Sequence, residues 1–437
     1  MKFGTSGIRE IYSEKITGSD IIKLGNSISR LGVKSVFIAN DTRRSCSLIA
    51  DYLGASISFN GIDVELGGEL PTPVIAFISK KRGFDLGVSS TASHNPPEFC
   101  GVKLFDEDGI GLDVDVEKKI EENLNAEGLG FGDFDYGNIS YDCNARDDYF
   151  EEIFGHVGEQ KRKFRIVVDC ANGVGSDFTP RLLGEMGHSV LSINANKSHN
   201  FFGRMPEPNA ENLVHTANLV KKFDVDFGMA HDGDGDRLVL ISKDGVVLDD
   251  YIMSYLLLKI ILEEGRRGDV VISINTSDSI ESLAKENGCD VTRTRLGKTF
   301  NLLKEKNGIF ATEPSKIVDS RWGYWEDGIY AIVKLVDYMS RNDLSLEDLV
   351  KDVPKKSYLQ KNIVMKGFDM EKVKEKAMKS FDVKEVEEMD GLRLLLDDAW
   401  VLFRASGTEP KCRIYVESDF EERSLELMEQ AEKILVS

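Results

Sequence analysis

The feature that most constrains this chain is an alternation that restarts three times: a short apolar run, a polar loop at its carboxyl end, then a stretch with helical periodicity. In the first round Ile21, Leu24, Ile28 and Leu31 share a helical face, and the buried-strand run Ser35-Val-Phe-Ile-Ala39 ends in Asn40-Asp-Thr-Arg-Arg-Ser45. A helix, an apolar run near Val64, the turn Pro71-Thr-Pro73 and a helix over 74–79 lead to the strand 85–88. That strand delivers Ser89-Ser-Thr-Ala-Ser-His-Asn-Pro-Pro97, where the prolines keep a helix from absorbing the polar residues. Alternation of this kind predicts a mostly parallel sheet with helices on both faces. Ligands gather outside the carboxyl ends of such strands.

The second round begins after the acidic, glycine-rich linker 127–138. Phe164-Arg-Ile-Val-Val168 reads as a strand and Asp169-Cys-Ala-Asn-Gly-Val-Gly175 as its polar turn; a helix, a strand at 190–193 and the run Phe227-Gly-Met-Ala230 follow. The last run passes into His231-Asp-Gly-Asp-Gly-Asp-Arg237. The third round has a helix over 249–264, the strand Val270-Val-Ile-Ser-Ile274, Leu296-Gly-Lys298, and Gly308-Ile-Phe-Ala-Thr-Glu-Pro-Ser315. From about Pro354 strand-like segments (392–396, 400–403, 413–416) mix with helices at 370–380 and 425–436, which predicts a small α+β domain on an antiparallel sheet. With 437 residues the chain is too long for one core. The expected domains are 1–143, 144–246, 247–353 and 354–437.

Composition narrows the partners. A net charge of −20 argues against nucleic acid and against an anionic membrane surface. The apolar helix candidate 253–262 is about half a bilayer span, and Met1-Lys-Phe-Gly-Thr-Ser-Gly lacks the apolar core of a signal peptide. The six cysteines show no repeated spacing, so neither a disulfide framework nor a zinc site is expected. A cytoplasmic protein with reduced thiols, monomeric or homodimeric, is the expectation.

Asp232-Gly-Asp-Gly-Asp236 sets carboxylates two residues apart, with glycines that let the backbone turn so that they converge. Convergent carboxylates repel, so a hard cation is their natural partner, and Mg²⁺ fits because it leaves positions for phosphate oxygens. An EF-hand is excluded, since the twelfth position from Asp232 is Lys243 and not glutamate. Arg237 is placed to bind a phosphate beside the metal. Arg404-Ala-Ser-Gly-Thr408 offers a guanidinium, hydroxyls and backbone amides, a set that suits a phosphate dianion. Glu313 and Ser315 supply an acceptor and a donor-acceptor for sugar hydroxyls. Taken singly, these stretches also read as ordinary turns. A Ser-His-Asp triad at Ser93 and His94 is discounted, because adjacent side chains seldom point at each other and no Gly-x-Ser-x-Gly surrounds them. His156, His188, His199 and His215 lack ligand spacing and are expected at the surface, while His231 is expected to shape the aspartate loop.

In order along the chain, Phe3-Gly-Thr-Ser-Gly-Ile-Arg9, Thr91-Ala-Ser-His-Asn-Pro96, Asp232 to Arg237, Glu313-Pro-Ser315 and Arg404 to Thr408 resemble the loops of the α-D-phosphohexomutase superfamily. Asn40-Asp-Thr-Arg43, Pro71-Thr-Pro73, Gly101-Val-Lys103 and Arg204-Met-Pro-Glu-Pro208 support the resemblance, which spans the chain. It implies an α/β protein: three similar mixed α/β sandwich domains plus a smaller C-terminal α+β domain around a central cleft. It also implies that Ser93 carries a phosphoryl group, gives it to a hexose phosphate, and takes the other phosphate back from a hexose 1,6-bisphosphate. Ser93, Asp232, Asp234 and Asp236 would hold one Mg²⁺. Lys103 would act as general acid/base with His94 and Arg9, its pKa lowered by neighbouring cations. Arg237, Lys298, Glu313 and Ser315 would bind the sugar phosphate, and Arg404, Ser406, Gly407 and Thr408 would grip the non-reacting phosphate.

The chain departs from the superfamily pattern at Thr312, at Lys316 and at Cys100, where an asparagine is common. The loops look most like the phosphoglucosamine mutases, in their archaeal form. The expected reaction is therefore glucosamine 6-phosphate to glucosamine 1-phosphate, with a phosphomannomutase/phosphoglucomutase as runner-up. A sugar-phosphate binding protein without turnover and a metal-dependent phosphatase are the alternatives from other classes.

Overall fold

The computed structural model describes residues 1–4, 7–124, 136–364, 369–405 and 411–436. Among them the first sheet runs, edge to edge, through Ile8–Ile11, Phe99–Phe105, Leu86–Ser90, Ser35–Asn40, Asp63–Glu69 and Ile139–Tyr141. The second runs Val239–Ser242, Phe227–Ala230, Arg165–Asp169, Ser189–Ile193. The third runs Val291–Thr294, Val270–Ser273, Phe310–Glu313, Lys316–Asp319.

These sheets repeat one plan. Each has a parallel set of strands and one antiparallel hairpin: Leu86–Ser90 with Phe99–Phe105, beyond which Ile8–Ile11 adds a further antiparallel edge, Phe227–Ala230 with Val239–Ser242, and Phe310–Glu313 with Lys316–Asp319. The sheets are thus mostly parallel, as the alternation predicts. The returning hairpin strands were not legible, because short polar segments such as Lys316-Ile-Val-Asp319 carry little periodic signal. The hairpin is the part that matters for function. In the three sheets it carries, in turn, the Ser93 loop, the Asp232–Asp236 loop and the Pro314-Ser315 turn.

The connecting helices explain how the hairpins come to face one another. Gly18–Ile28 opens with a capping box of Thr17 and Asp20 and buries Ile21, Leu24 and Ile28. Thr72–Arg82 starts within the expected Pro71-Thr-Pro73 turn, since proline tolerates the first helical turn, where no backbone donor is needed. Asp250–Glu263 is apolar nearly all round and lies within a core shared by the first three sheets. In that core Phe77 stacks on Trp322, which stacks in turn on Tyr330 with ring centroids 4.5 Å apart. Gly328–Asn342 is capped by Asp327, whose carboxylate accepts from the amides of Ile329 and Tyr330. A Cβ at Gly328 would lie 2.5 Å from the Arg237 carbonyl, so this helix abuts the aspartate loop directly.

The fourth sheet is antiparallel throughout, ordered Ser357–Val364, Lys411–Ser418, Ala399–Ala405, Leu392–Leu395, Glu385–Glu387, and has its own core. It meets the third sheet through Ile274 against Trp400, Leu402 and Tyr415. The buried Arg393 also donates to Asp278 at 2.6 Å. No helix among the described residues is long and apolar enough to cross a membrane.

Candidate active site

The Ser93 loop is held by a buried ionic clamp. Arg43 pairs with Asp41 and donates to the carbonyls of Ser93 at 3.0 Å and Asn95 at 2.5 Å, with its guanidinium 4.6 Å above the Phe201 ring. Thr91 Oγ1 donates to Asp41 at 2.7 Å and accepts from the Ser93 amide at 2.8 Å. The clamp offsets a local cost, because Ser93 is not glycine yet sits at φ 50°. Its side chain is thereby aimed at the next hairpin. Ser93 Oγ donates to Asp232 Oδ2 at 2.8 Å and lies 3.3 Å from His94 Nδ1.

The aspartate loop turns through Gly235 at φ 76°, where a side chain would be strained. Asp232, Asp234 and Asp236 are fully buried or nearly so, with one carboxylate oxygen from each within 4.8 Å of the others. Burial, then Asp236 and Asp234, push the Asp232 carboxyl up. Burial would raise Asp234 and Asp236 as well, but Lys103, together with Thr72 at Asp234 and with Lys316 and Arg237 at Asp236, holds both low. Lys103 Nζ donates to Asp234 Oδ2 at 2.8 Å and to Asp236 Oδ2 at 2.5 Å. Asp234 Oδ1 and Asp236 Oδ1 are buried without a hydrogen-bond partner among the described residues. Clustered buried carboxylates with orphaned oxygens, beside the Ser93 hydroxyl, fit a hard divalent cation. His231 does shape the loop: its Nδ1 donates to the Arg237 carbonyl at 2.8 Å, and its Nε2 sits 2.7 Å from Thr179 Oγ1.

Lys103 corrects one expectation. Burial alone would lower its pKa, but Asp234 and Asp236 override burial, so it is held above the ordinary lysine range. Arg9 works the other way and is outweighed. Arg9 itself donates to Asn95 Oδ1 at 3.2 Å, and its Nε has no partner among the described residues. His94 is held well below the usual histidine range by burial, then by Arg237 and Arg9, and its Nε2 lies 3.4 Å from Glu207. Arg237 donates to the same Glu207 carboxylate at 2.7 Å. Glu207 is thus a bridging acid whose only sequence signal was its place between prolines in Arg204-Met-Pro-Glu-Pro208.

The third hairpin turns at Ser315, φ 61°, whose Oγ donates to Asp250 at 2.9 Å. Glu313 Oε1 accepts from the Gly297 amide at 2.5 Å and from Thr299 Oγ1 at 2.8 Å. The segment 296–298 therefore touches the third hairpin through backbone; the Lys298 ammonium acts instead on Glu117, which burial pushes up to about 7 while Lys298 pulls it down. Thr312 Oγ1 donates back to the Lys316 carbonyl at 2.8 Å and stiffens the turn. Lys316 Nζ reaches Glu326 at 2.5 Å. Asp250 and Glu326 escaped the sequence reading, because nothing local marks a lone acid at a helix head as facing a turn far along the chain.

Arg404 lies next to the end of the strand Ala399–Ala405, and its Nε donates to Asp390 Oδ2 at 2.8 Å. The same oxygen accepts from the Leu296 amide at 3.1 Å. Ser406, Gly407 and Thr408 lie outside the described residues, as do Thr5 and Ser6 of the opening loop. Cys100 is buried, and burial pushes its thiol up to about 12, so it is not a nucleophile. His188, expected at the surface, is buried. The Phe164 amide donates to its Nδ1 at 3.2 Å, and Gln160 lies 3.2 Å from its Nε2.

Comparison with known proteins matches family models along nearly the whole chain. The phosphoglucomutase/phosphomannomutase alpha/beta/alpha domain I matches residues 1–130, domain II 147–245, domain III 249–357, and the C-terminal domain 365–434. A phosphoglucosamine mutase of Methanococcus vannielii is 35% identical over 448 residues, covering 98% of this chain and 96% of the relative. A phosphopentomutase of Thermococcus kodakarensis is 34% identical over 437 residues, covering 98% and 96%. Among solved structures, a phosphoglucomutase/phosphomannomutase family protein from Burkholderia thailandensis superposes with a TM-score of 0.87 at 23% identity, covering 99% of this chain and 96% of that one. This last likeness is one of fold.

Proposed function

Starting from the premise that this chain belongs to the phosphoglucomutase/phosphomannomutase family, a branch of the α-D-phosphohexomutases, we propose that it isomerises a sugar phosphate through a phosphoryl group carried on Ser93. The reaction class follows from the family: the chain is an isomerase of the phosphomutase type. The observation that carries the Ser93 role is its hydroxyl at 2.8 Å from Asp232, in a carboxylate cluster with two orphaned oxygens. In the forward half-reaction the Oγ–P bond of phosphorylated Ser93 breaks as a P–O bond forms to the sugar's free hydroxyl oxygen. The hydroxyl proton is passed through the cleft and ends on Ser93 Oγ. The resulting bisphosphate reorients and returns its other phosphoryl group to Ser93 by the same bookkeeping, which leaves the isomerised monophosphate.

The chain's own residues supply the rest. Lys103, held charged between Asp234 and Asp236, offers a fixed cation to the transferring phosphoryl group; uncharged His94, 3.3 Å from Ser93 Oγ, is placed to relay the proton. Arg9 and Arg237 offer guanidinium donors to phosphate oxygens. Mg²⁺ held by Asp232, Asp234, Asp236 and phosphorylated Ser93 would neutralise charge on the transferring group. Glu313 and Ser315 read the ring hydroxyls, with Lys298 at the edge of that site. Arg404 and the following Ser406, Gly407 and Thr408 hold the non-reacting phosphate, so a sugar bound in either orientation keeps the same grip.

Glucosamine 6-phosphate and its 1-phosphate are the leading substrate pair, supported by the 35% identity to the Methanococcus vannielii phosphoglucosamine mutase. A pentose phosphate is the second reading, supported by the 34% identity to the Thermococcus kodakarensis phosphopentomutase. The test is a coupled assay across glucosamine, glucose and mannose 6-phosphates and ribose 5-phosphate, together with the intact mass of the protein. Wild-type protein should carry phosphate on Ser93 in a fraction of molecules. Turnover that survives Ser93→Ala would overturn the covalent reading.

A further inference from the structure

The sugar hairpin places in the cleft an ion pair that neither the Ser93 loop nor the aspartate loop requires. Lys316 follows the turn and Glu326 immediately precedes the helix cap Asp327; their side chains meet at 2.5 Å and are 10% and 17% exposed. Lys316 is paired with Glu313 in the hairpin register, so it leaves the same turn as the residue that reads the ring. On the other side the pair lies within electrostatic reach of Asp236, Lys103 and His94. It therefore stands between the groups that read the sugar and those that handle the phosphoryl group. Its position is fixed from below, because Gly328, two residues after Glu326, packs against the carbonyls of Asp236 and Arg237.

An ammonium touching a carboxylate offers an incoming sugar one donor and one acceptor with little net charge. A ring hydroxyl can satisfy both, accepting from Lys316 and donating to Glu326. A ring ammonium can only donate: Glu326 attracts it and Lys316 repels it. We propose that the Lys316–Glu326 pair is a specificity-determining element that sets how the cleft weighs a hydroxyl against an ammonium on the sugar ring. This rests on the phosphosugar reading above and adds the residues that choose among sugars. The two members act with opposite sign. Removing Lys316 removes the repulsion of a ring ammonium and leaves Glu326 as the acceptor, whereas removing the Glu326 charge leaves an uncompensated ammonium.

Calorimetric dissociation constants of glucosamine 6-phosphate and glucose 6-phosphate test this on the full-length chain. The variants are Lys316→Met, Lys316→Arg and Glu326→Gln, each checked for folding by thermal unfolding. Lys316→Met should shift the affinity ratio about tenfold toward glucosamine 6-phosphate, and Glu326→Gln about tenfold toward glucose 6-phosphate, the scale of one partly buried charge contact. Lys316→Arg, which keeps the charge, should keep the wild-type ratio. If both neutral variants change the two sugars by the same factor, the pair only packs the loop and the proposal fails. Opposite ratio shifts without turnover of any sugar would uphold the proposal and overturn the mutase reading alone.

Discussion

Ser93 Oγ donates to Asp232 Oδ2 at 2.8 Å, joining the hairpin loop of the first sheet to that of the second across 139 positions of sequence. Neither loop makes a site alone. Apposed, they set a hydroxyl oxygen against a carboxylate cluster that is short of positive charge, and Lys103 is the side chain that now fills part of that deficit.

Asp232→Asn should therefore lower turnover by about 100-fold or more, the usual scale for removing a group that stabilises developing charge. Chelation of divalent metal should abolish activity in the wild-type protein, and added Mg²⁺ should restore it. A coupled assay reads both. Full activity in the presence of excess chelator would rule out a metal role for the cluster.

Gly233→Ala probes the apposition without touching a functional group. A Cβ there would lie 2.7 Å from the Ser93 carbonyl and 3.3 Å from the Phe201 ring, so the loops must part. Turnover should fall about tenfold to 100-fold while the thermal transition moves little, because sub-ångström misplacement of reacting groups is costly. An unchanged kcat would show that the approach of the two loops is not critical.

Asp390 ties Arg404 to the Leu296 amide, so the fourth sheet and the segment after Val291–Thr294 share one carboxylate. Asp390→Ala should raise KM for sugar phosphates about tenfold and change kcat less, since a charge-assisted hydrogen bond contributes about 1.5–3 kcal/mol. A matched loss in kcat with KM unaltered would contradict a positioning role.

His188 gives the fold a pH dependence separate from the active site. Burial, and then Lys163, push its pKa down from 6.5 to about 4. Because the unfolded chain takes up the proton first, the stabilisation is complete above about pH 6.5 and is lost as pH falls toward 4. The loss amounts to roughly 3 kcal/mol at most, for a shift of this size. Unfolding of wild type and His188→Asn at pH 7 and pH 5 checks it: the stability difference between the two should shrink at the lower pH. A difference that does not change with pH would remove His188 from the acid sensitivity.

What the sequence determined by itself was the local grammar. Apolar runs ending in polar loops marked the strands, because burial of a strand and exposure of the loop after it are both properties of a few consecutive residues. The order of those loops was enough for the superfamily, the three α/β units and the Ser93 and Asp232–Asp236 stretches. Only the tertiary structure decided that these loops are the same antiparallel hairpin in three repeated sheets, since Phe99–Phe105, Val239–Ser242 and Lys316–Asp319 become strands through their partners. It also decided the charge state of the site. Lys103 was expected among cations and proved to lie between Asp234 and Asp236, 131 and 133 positions away. Asp250, Glu326 and Asp390 were silent for the same reason: an electrostatic partner is chosen by distance in space, and the chain holds no record of that distance until its sheets have packed.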